Sequence, residues 1–343
     1  MTNLERLQQN GIRRLGSMKR GFRYRPVSGR LLKADLDRIQ GLRIPPAWTD
    51  VFINPAAKGR LQAIGKDAAG RWQYLYHADH TKLQEVRKFK RLAMFAKALP
   101  KLRATISRHL RQPGLGRERV LAAILRVLST CYMRPGSQSY ASEHGSYGIA
   151  TLRRKHVTVK GDLIEFDFPG KSGVRQRRQL RDRQVARVVR ETIKLPGYQV
   201  FKFENAEGKT VNVTRQQINA YIKEIMGGNF SAKDFRTWAG TLVCACALAR
   251  EGVEMPEEST LRTQARVRKR RIVAAIKETS EVLGNTPAVC RSSYVCPEVI
   301  QDFEKGKVID NCSSNLQDLV AFRGHGLHNA ERALLKFLSH NGR

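Results

Sequence analysis

The chain has 343 residues, of which 41% are hydrophobic, so it is long enough for two domains with separate cores and too apolar to be disordered. Its 63 Lys and Arg against 30 Asp and Glu give a formal net charge of +33. A folded chain with this much like charge repels itself, and a polyanion offsets that repulsion. The composition therefore favours nucleic acid as the partner.

A membrane is the other partner that such a charge suggests, and the sequence argues against it. No apolar run approaches the roughly 18 residues that a spanning helix needs. The N-terminal stretch MTNLERLQQNGIRRL lacks the apolar core of a secretory signal. We expect a cytoplasmic, nucleoid-associated protein without a membrane partner.

The cysteines do not form a disulfide or zinc framework, because no two of them have CxxC spacing and no histidine pair is flanked by complementary ligands. Two lie in an apolar helical run, where cysteine is typical of the core. We therefore expect reduced thiols, no metal and no cofactor. The six cysteines are Cys131, Cys244, Cys246, Cys290, Cys296 and Cys312.

The first predicted elements, in residues 20–80, are mostly strands. Short alternating runs separated by turn-prone segments such as KDAAG predict the strands, and one short helix interrupts them. We expect the strands at residues 22–24, 51–54, 60–64 and 71–76, and the helix at residues 33–40.

The last of these strands carries aromatic residues on one face. Strand alternation puts Trp72, Tyr74 and Tyr76 on the same side, with Arg71 at the strand end. If that face is open, the tyrosine hydroxyls suit contact with nucleic-acid sugars and phosphates. If it is buried, the aromatic face is ordinary core, and the sequence allows both interpretations.

From residue 83 to about residue 112 the pattern becomes helical and basic. Apolar residues recur at steps of three and four from Phe89 to Leu110, and Lys and Arg fill much of the rest. Pro100 predicts a kink or a break between two helices. The change of pattern predicts a β-rich domain of residues 1–88 and a mainly helical domain of residues 89–343.

A further helix over residues 116–131 gives way to a loop at Pro135 and Gly136. Arg134 lies at this transition, where a guanidinium can be held towards a ligand or can simply be solvated. Next, strands over residues 156–159, 163–168 and 174–180 predict a small antiparallel sheet. Lys171 lies at the tip of its second turn, either solvated or placed to enter a DNA groove.

Ser231, with Asp234 three residues later, predicts the start of another helix. Lys233 and Arg236 then fall in or just after its first turn, where the helix dipole disfavours cations. The pair therefore indicates an anion site at the helix N-terminus, unless both are tolerated surface charges.

A long basic helix over residues 259–283 is predicted to end at Gly284, in the position of a C-cap. Asn285 follows it, and Tyr294 precedes a new helix that begins near Pro297. A lone tyrosine is ordinarily a packed side chain with a satisfied hydroxyl. The setting among small and basic residues instead suggests a nucleophile towards a phosphodiester. The last predicted helix covers residues 327–338.

Five of these residues, in this order, resemble the site of the type IB DNA topoisomerases, especially the compact bacterial and poxvirus forms. The N-terminal stretches LRIPPAWTDVFINP and LQAIGKDAAGRWQYLY are similar to the DNA-clamping domain of that family. The resemblance extends from about residue 20 to residue 310. The motifs are Arg134 in RPG, Lys171 in GKSG, Arg236 in KDFRTWAGT, and Asn285 and Tyr294 in NTPAVCRSSY.

The resemblance implies an α+β fold with two domains. A small β-rich N-terminal domain and a larger, mostly α-helical catalytic domain with a small antiparallel sheet would form a clamp around double-stranded DNA. It also implies a monomer that relaxes positive and negative supercoils without ATP or metal. The implied reaction cuts one strand through a 3′-phosphotyrosyl intermediate, lets the free end rotate and rejoins it.

The resemblance further implies catalytic roles. Tyr294 is the nucleophile, Arg134 and Arg236 bind the non-bridging oxygens, and Lys171 protonates the leaving 5′-oxygen. Asn285 stands where the poxvirus enzymes have histidine, and its amide can donate a hydrogen bond but cannot transfer a proton. DNA contacts are implied for Lys233, Tyr140, Arg71, Tyr74 and Tyr76.

Two other functions remain open on the sequence. Tyrosine recombinases and integrases use a similar residue set, but they usually carry histidine where this chain has Lys233, and their N-terminal domain is typically helical. A non-catalytic architectural protein is the second alternative, because the charge alone would permit it. It would bind DNA with steep salt dependence and form no covalent product.

Overall fold

The structure is a computed structural model, and it describes residues 2–254, 260–310, 318 and 322–340. The chain divides into two compact units, Met1–Phe89 and Lys90–Arg343. The first is built on an antiparallel sheet and the second is mostly helical with small antiparallel sheets. The α+β fold class is therefore confirmed.

The first unit has a five-stranded antiparallel sheet with strand order β2-β1-β3-β4-β5. Apolar side chains form two clusters, one around Ile39 and Ile53 and the other around Leu7 and Ile64. The sequence did not predict α1 or β1. The elements are α1 (Asn3–Asn10), β1 (Ile12–Ser17), β2 (Gly21–Pro26), α2 (Lys33–Gly41), β3 (Thr49–Ile53), β4 (Leu61–Lys66) and β5 (Trp72–Tyr76).

One long helix, α3 (Ala78–His109), contains Pro100. The alternative of a break between two helices at this proline is therefore wrong. Leu99 and Leu102, on either side of it, are fully buried. Their burial favours a continued helix, although proline removes one backbone hydrogen bond.

The helices of the second unit surround α8, most of whose residues are buried. Ser231 caps α8 as predicted, since Asp234 accepts its backbone N–H at 2.8 Å. After α3, the helices are α4 (Arg117–Cys131), α5 (Gln138–His144), α6 (Arg183–Lys194), α7 (Arg215–Met226), α8 (Ala232–Glu251), α9 (Leu261–Leu283), α10 (Pro287–Ser293), α11 (Pro297–Glu304) and α12 (Asn329–His340).

The predicted small sheet is present, with strand order β6-β7-β8 and antiparallel pairing throughout. A second, two-stranded sheet was not predicted. The strands are β6 (Val157–Lys160), β7 (Leu163–Pro169), β8 (Arg175–Arg181), β9 (Lys202–Glu204) and β10 (Thr210–Asn212).

Five cysteines are free and buried, as expected of core thiols, and Cys312 lies outside the described residues. The predicted first residue of the long basic helix, Ser259, also lies outside them; α9 begins at Leu261, after the N-cap Thr260. None of the described helices combines the length and the apolar character that crossing a bilayer requires.

Candidate active site

Tyr294 lies at the C-cap of α10 and is 9% exposed. Its backbone is fixed to α8, because the Thr241 hydroxyl donates to the Tyr294 carbonyl at 3.1 Å and accepts the Cys296 N–H at 3.2 Å. Gly240 permits this approach, since a Cβ there would lie 2.9 Å from both the Tyr294 Cβ and its carbonyl oxygen. The backbone at Tyr294 and just after it is thus held by one helix.

Arg236 comes from the second turn of α8 and is 3% exposed. Its guanidinium donates to two backbone carbonyls: Nη1 to that of Tyr132, and Nη2 to that of Leu283 at 3.0 Å. The guanidinium carbon lies 4.9 Å from the centre of the Tyr294 ring. The ends of α4 and α9 therefore hold this cation against the tyrosine.

Arg134 and Asn285 form a pair in which the Arg134 Nη2 donates to the Asn285 Oδ1. Gly284, at φ 61°, ends α9 in the left-handed conformation that glycine favours, and the next N–H, that of Asn285, bonds to Ser280 O at 2.9 Å. Because Arg134 uses the amide oxygen, the Nδ2 is the free donor. That nitrogen is buried and has no partner among the described residues, as an anion-binding group would be before its ligand arrives.

The charges around Tyr294 favour its ionised form. Burial alone raises the pKa of the phenol, but the charge and hydrogen bond of Arg236 and the charges of Arg134 and Lys233 outweigh it, so the pKa lies below its ordinary value. Three cations thus act on one tyrosine. A lowered pKa of this kind is typical of a functional nucleophile.

The structure brings Tyr294, Arg236, Arg134 and Asn285 together, with Lys233 exposed at the start of α8 within electrostatic range of the phenol. Lys171 is not part of this cluster. It is exposed in a short 3₁₀ turn between β7 and β8, and no hydrogen bond or ion pair joins its side chain to another residue that the structure describes.

Arg178, on β8, also borders the cluster, and the sequence reasoning missed it. Burial lowers its pKa, and the nearby charge of Arg134 lowers it further. A Cβ on Gly284 would lie 2.6 Å from the Arg178 Nη2. The missed signal is the alternation of β8, which puts Arg178 on the same inward face as Gln176 and Leu180, where a cation is unexpected.

The residues for which DNA contacts were predicted are exposed. Tyr140, on α5, is 44% exposed. In the first unit, Tyr74 and Tyr76 are 48% and 38% exposed and their rings stack at 6.5 Å, whereas Trp72 packs against the apolar cluster around Leu7 and Ile64. The aromatic face of β5 is therefore open at its tyrosines.

Arg71, at the start of that strand, is held by a carboxylate. Its Nε donates to Asp67 at 2.9 Å, and this hydrogen bond is the main cause that lowers the pKa of Asp67 to about 2. Tyr76, at the other end of β5, lines a cavity of about 590 Å³ together with Arg6 and Arg60. Basic and aromatic groups therefore lie at both ends of the strand.

A metal centre is not visible in the described ranges, where no three His, Cys, Asp or Glu side chains come close enough to bind an ion. Cationic side chains and one amide occupy the surroundings of Tyr294 instead. Such donors bind phosphate oxygens through charge-assisted hydrogen bonds.

Comparison with known proteins identifies the family. A family model described as the eukaryotic DNA topoisomerase I catalytic core matches residues 78–318, more than half of the chain. A second model, the N-terminal domain of bacterial DNA topoisomerase IB, matches residues 21–67.

Individual relatives agree. The chain is 37% identical over 265 residues to a DNA topoisomerase 1B of Acanthamoeba polyphaga mimivirus, which covers 76% of this chain and 77% of the viral protein. It is 23% identical over 289 residues to the DNA topoisomerase 1B of Vaccinia virus, covering 82% and 85% of the two chains. The chain belongs to the type IB DNA topoisomerase family, and it is a type I DNA topoisomerase.

Proposed function

We propose that the chain relaxes positive and negative supercoils in double-stranded DNA by cutting one strand with Tyr294. The observation that carries this proposal is the placement of the Tyr294 phenol against Arg236, with Arg134 and the unpartnered amide nitrogen of Asn285 completing the cluster. The three cations that lower the pKa of the phenol and the free amide nitrogen of Asn285 all suit a phosphate.

In the reaction, the Tyr294 oxygen attacks the scissile phosphorus and its proton passes to solvent. The new O–P bond forms as the bond from phosphorus to the 5′-oxygen breaks, which leaves a 3′-phosphotyrosyl link and a free 5′-hydroxyl. The energy of the phosphodiester is kept in the new ester, so ATP is not required. After rotation of the free end, the 5′-hydroxyl gives its proton back to Lys171 and attacks the same phosphorus. The bond from phosphorus to the Tyr294 oxygen breaks, the phenolate leaves, and the strand is restored.

The cluster supplies electrostatic stabilisation. Arg236 and Arg134 donate to the non-bridging oxygens, where negative charge builds up in the transition state, and Asn285 adds a neutral donor. These groups do the work that a metal ion performs in other phosphoryl-transfer enzymes, and the reaction therefore runs without one.

Lys171 is the general acid of this proposal. From the β7–β8 turn it reaches the leaving 5′-oxygen once DNA is bound and gives it a proton. The exposed position of this turn supports the assignment, because a group that enters a DNA groove must be free to approach it.

Double-stranded DNA is the partner, and the net charge of +33 suits it. Lys233, Tyr140, Arg71, Tyr74 and Tyr76 contact the duplex. A monomer whose N-terminal and catalytic domains, residues 1–88 and 89–343, close around DNA as a clamp needs no second subunit. In a cell, such a protein would be found with the nucleoid.

Relaxation of supercoiled plasmid in EDTA without ATP tests the proposal, run beside Tyr294→Phe. Wild type is expected to relax both signs of supercoil, and Tyr294→Phe is expected to bind DNA without relaxing it. Denaturation of a stopped reaction should trap protein on the 3′ end of a nick. If wild type binds plasmid and leaves its linking number unchanged, the proposed reaction is wrong.

A further inference from the structure

The last described helix, α12, carries a buried carboxylate that bonds to two other helices of the second unit. Glu331 is 4% exposed and accepts both Nη groups of Arg103, each at 2.8 Å. It also accepts the backbone N–H of His328 at 2.9 Å. This ion pair therefore fixes α12 to α3.

Glu331 also touches α8, the helix that carries Arg236. Its Oε1 accepts the indole N–H of Trp238 at 3.3 Å, and Trp238 lies two residues after Arg236. A small cavity of about 30 Å³ is lined by Glu331, Trp238, Arg103 and Tyr132, among others. Tyr132 thus lines the same small cavity as the ion pair.

Tyr132 links this network to the active site. It is the C-cap of α4 with φ 51°, a left-handed conformation that is strained in a residue other than glycine unless its surroundings hold it. Its carbonyl accepts the Nη1 of Arg236, and Arg134 follows two residues later. The turn at Tyr132 therefore sets the positions of both arginines.

We propose that Glu331 is a positioning residue: together with Arg103 and Trp238, it holds the turn at Tyr132 and so keeps Arg236 and Arg134 aligned on the scissile phosphate. The inference rests on the proposed function, because it presumes that these arginines act on the phosphate. It extends that function to α12, which begins beyond residue 318, where the match to the catalytic core ends.

The competing explanation is that Glu331 only stabilises the fold. A positioning residue should affect the cleavage step itself, because a misplacement of about 1 Å at a reacting group can cost about 10²-fold in rate. A residue that only stabilises should lower the melting temperature and leave the rate of folded enzyme unchanged. The two roles therefore predict different rates below the melting transition.

The experiment compares Glu331→Gln with Glu191→Gln in full-length protein. Glu191 pairs with the buried Arg119 at 2.6 Å, and its side chain is 31% exposed against 5% for Glu331, so this control also breaks an ion pair to an arginine but at a less buried carboxylate. Arg119 lies about 20 Å along α4 from Tyr132. Single-turnover plasmid nicking with excess enzyme at 20 °C gives the cleavage rate, DNA binding gives the affinity, and thermal unfolding gives the stability.

We expect Glu331→Gln to cleave about 10- to 100-fold more slowly than wild type, with DNA affinity within about 2-fold, while Glu191→Gln cleaves at the wild-type rate whatever its melting temperature. Trp238→Phe, which removes the indole donor and keeps a ring, should show a smaller defect of the same kind. Equal cleavage rates for wild type, Glu331→Gln and Trp238→Phe would overturn the proposal.

Arg236→Lys, measured in parallel, separates a failure of the proposed function from a failure of the positioning role of Glu331. If Arg236→Lys cleaves as fast as wild type, the proposed function of the cluster fails. If Arg236→Lys is slow and Glu331→Gln is not, only the positioning role fails. In the double variant the two defects should be less than additive, because residues that act through one another share their effect; full additivity would contradict the proposal.

Discussion

The guanidinium of Arg236 stacks on the ring of Tyr294, with 4.9 Å between the guanidinium carbon and the ring centre. The carbonyls of Tyr132 and Leu283 accept hydrogen bonds from its two Nη groups. A planar fork held at two points cannot swing away, so the charge stays beside the phenol, where the proposed phosphate would bind. The arginine is thus preorganised before DNA arrives.

Arg236→Lys tests that arrangement. Lysine keeps the charge but loses the planar fork, so we expect cleavage to slow by about 10²- to 10³-fold, as when one oxyanion donor is removed. The measurement is the single-turnover rate of covalent complex formation. Arg177→Lys, on the exposed side of β8, is the matched control and should match wild type; an equal effect of both changes would contradict the assignment.

Asn285 is predicted to act through its amide nitrogen alone. Asn285→Ala should slow cleavage about 10-fold, in keeping with about 1.5 kcal/mol for a hydrogen bond to a charged group. Asn285→Asp keeps an oxygen for Arg134 but puts a negative charge beside the phosphate, so it should be slower still. If Asn285→Asp cleaves as fast as wild type, the unpartnered nitrogen has no role. Cleavage at the wild-type rate by Asn285→Ala would contradict the prediction equally.

Lys171 is predicted to protonate the leaving oxygen, although it makes no contact with the cluster. Lys171→Ala should slow cleavage by about 10²- to 10⁴-fold. A duplex with sulfur in place of the 5′-bridging oxygen at a mapped cleavage site needs no such proton, so Lys171→Ala should recover on it. Arg236→Lys should not recover, because it serves the non-bridging oxygens. Recovery of both variants, or of neither, would exclude Lys171 as the acid.

The pH dependence of cleavage should report the ionisation of Tyr294. Three cations lower the pKa of this phenol despite its burial, so the rate should rise with pH and level off below the ordinary tyrosine value of about 10. Lys233→Gln removes one of those cations. The phenolate is then less favoured, the pKa rises, and the rising limb should move to higher pH. Rates measured from pH 5 to pH 10 with both enzymes check the shift, and a limb that moves to lower pH would contradict it.

The first unit is predicted to contact the DNA backbone. Arg71→Gln should weaken binding to all sequences alike and reduce the slope of log K against log salt by about 0.9, the value for one phosphate contact. Tyr74→Ala should weaken binding without changing that slope, since it removes no charge. Filter binding or fluorescence anisotropy at four salt concentrations measures both, and an unchanged slope in Arg71→Gln would remove this contact.

The sequence predicted the small sheet to within one or two residues, because the apolar alternation that defines β6, β7 and β8 is local. Of its two alternatives at Pro100, a kink or a break, the break was wrong. Packing against residues distant in the sequence decides whether the helix continues, and the local sequence does not show that packing. An interior proline costs about 3 kcal/mol in an isolated helix. In α3 the fully buried Leu99 and Leu102 favour the continuous helix.

In the candidate site, too, the local sequence predicted some features and packing between distant residues determined the others. Residue types and order predicted its members, but no pattern indicates that Arg236 bonds to carbonyls 104 and 47 residues away. Arg178 was missed because burial depends on packing that the local sequence does not show. The sequence of β8, RQRRQLR, predicts a solvated strand, but alternate residues face inward. The opposite holds for Lys171. A motif predicted it as a member of the site, but no hydrogen bond or ion pair joins its side chain to the cluster around Tyr294.

The contact of Tyr294 with α8 through Gly240 and Thr241 has a mechanical consequence. In the proposed reaction, a single side chain would tie the DNA end to the protein while the strand is cut, and the torque of the unwinding duplex would pull on it. Thr241 holds the backbone at the carbonyl of Tyr294 and again two residues later, at the N–H of Cys296. The tension would therefore pass into a buried twenty-residue helix rather than into a loop, and the severed ends would stay in register for rejoining.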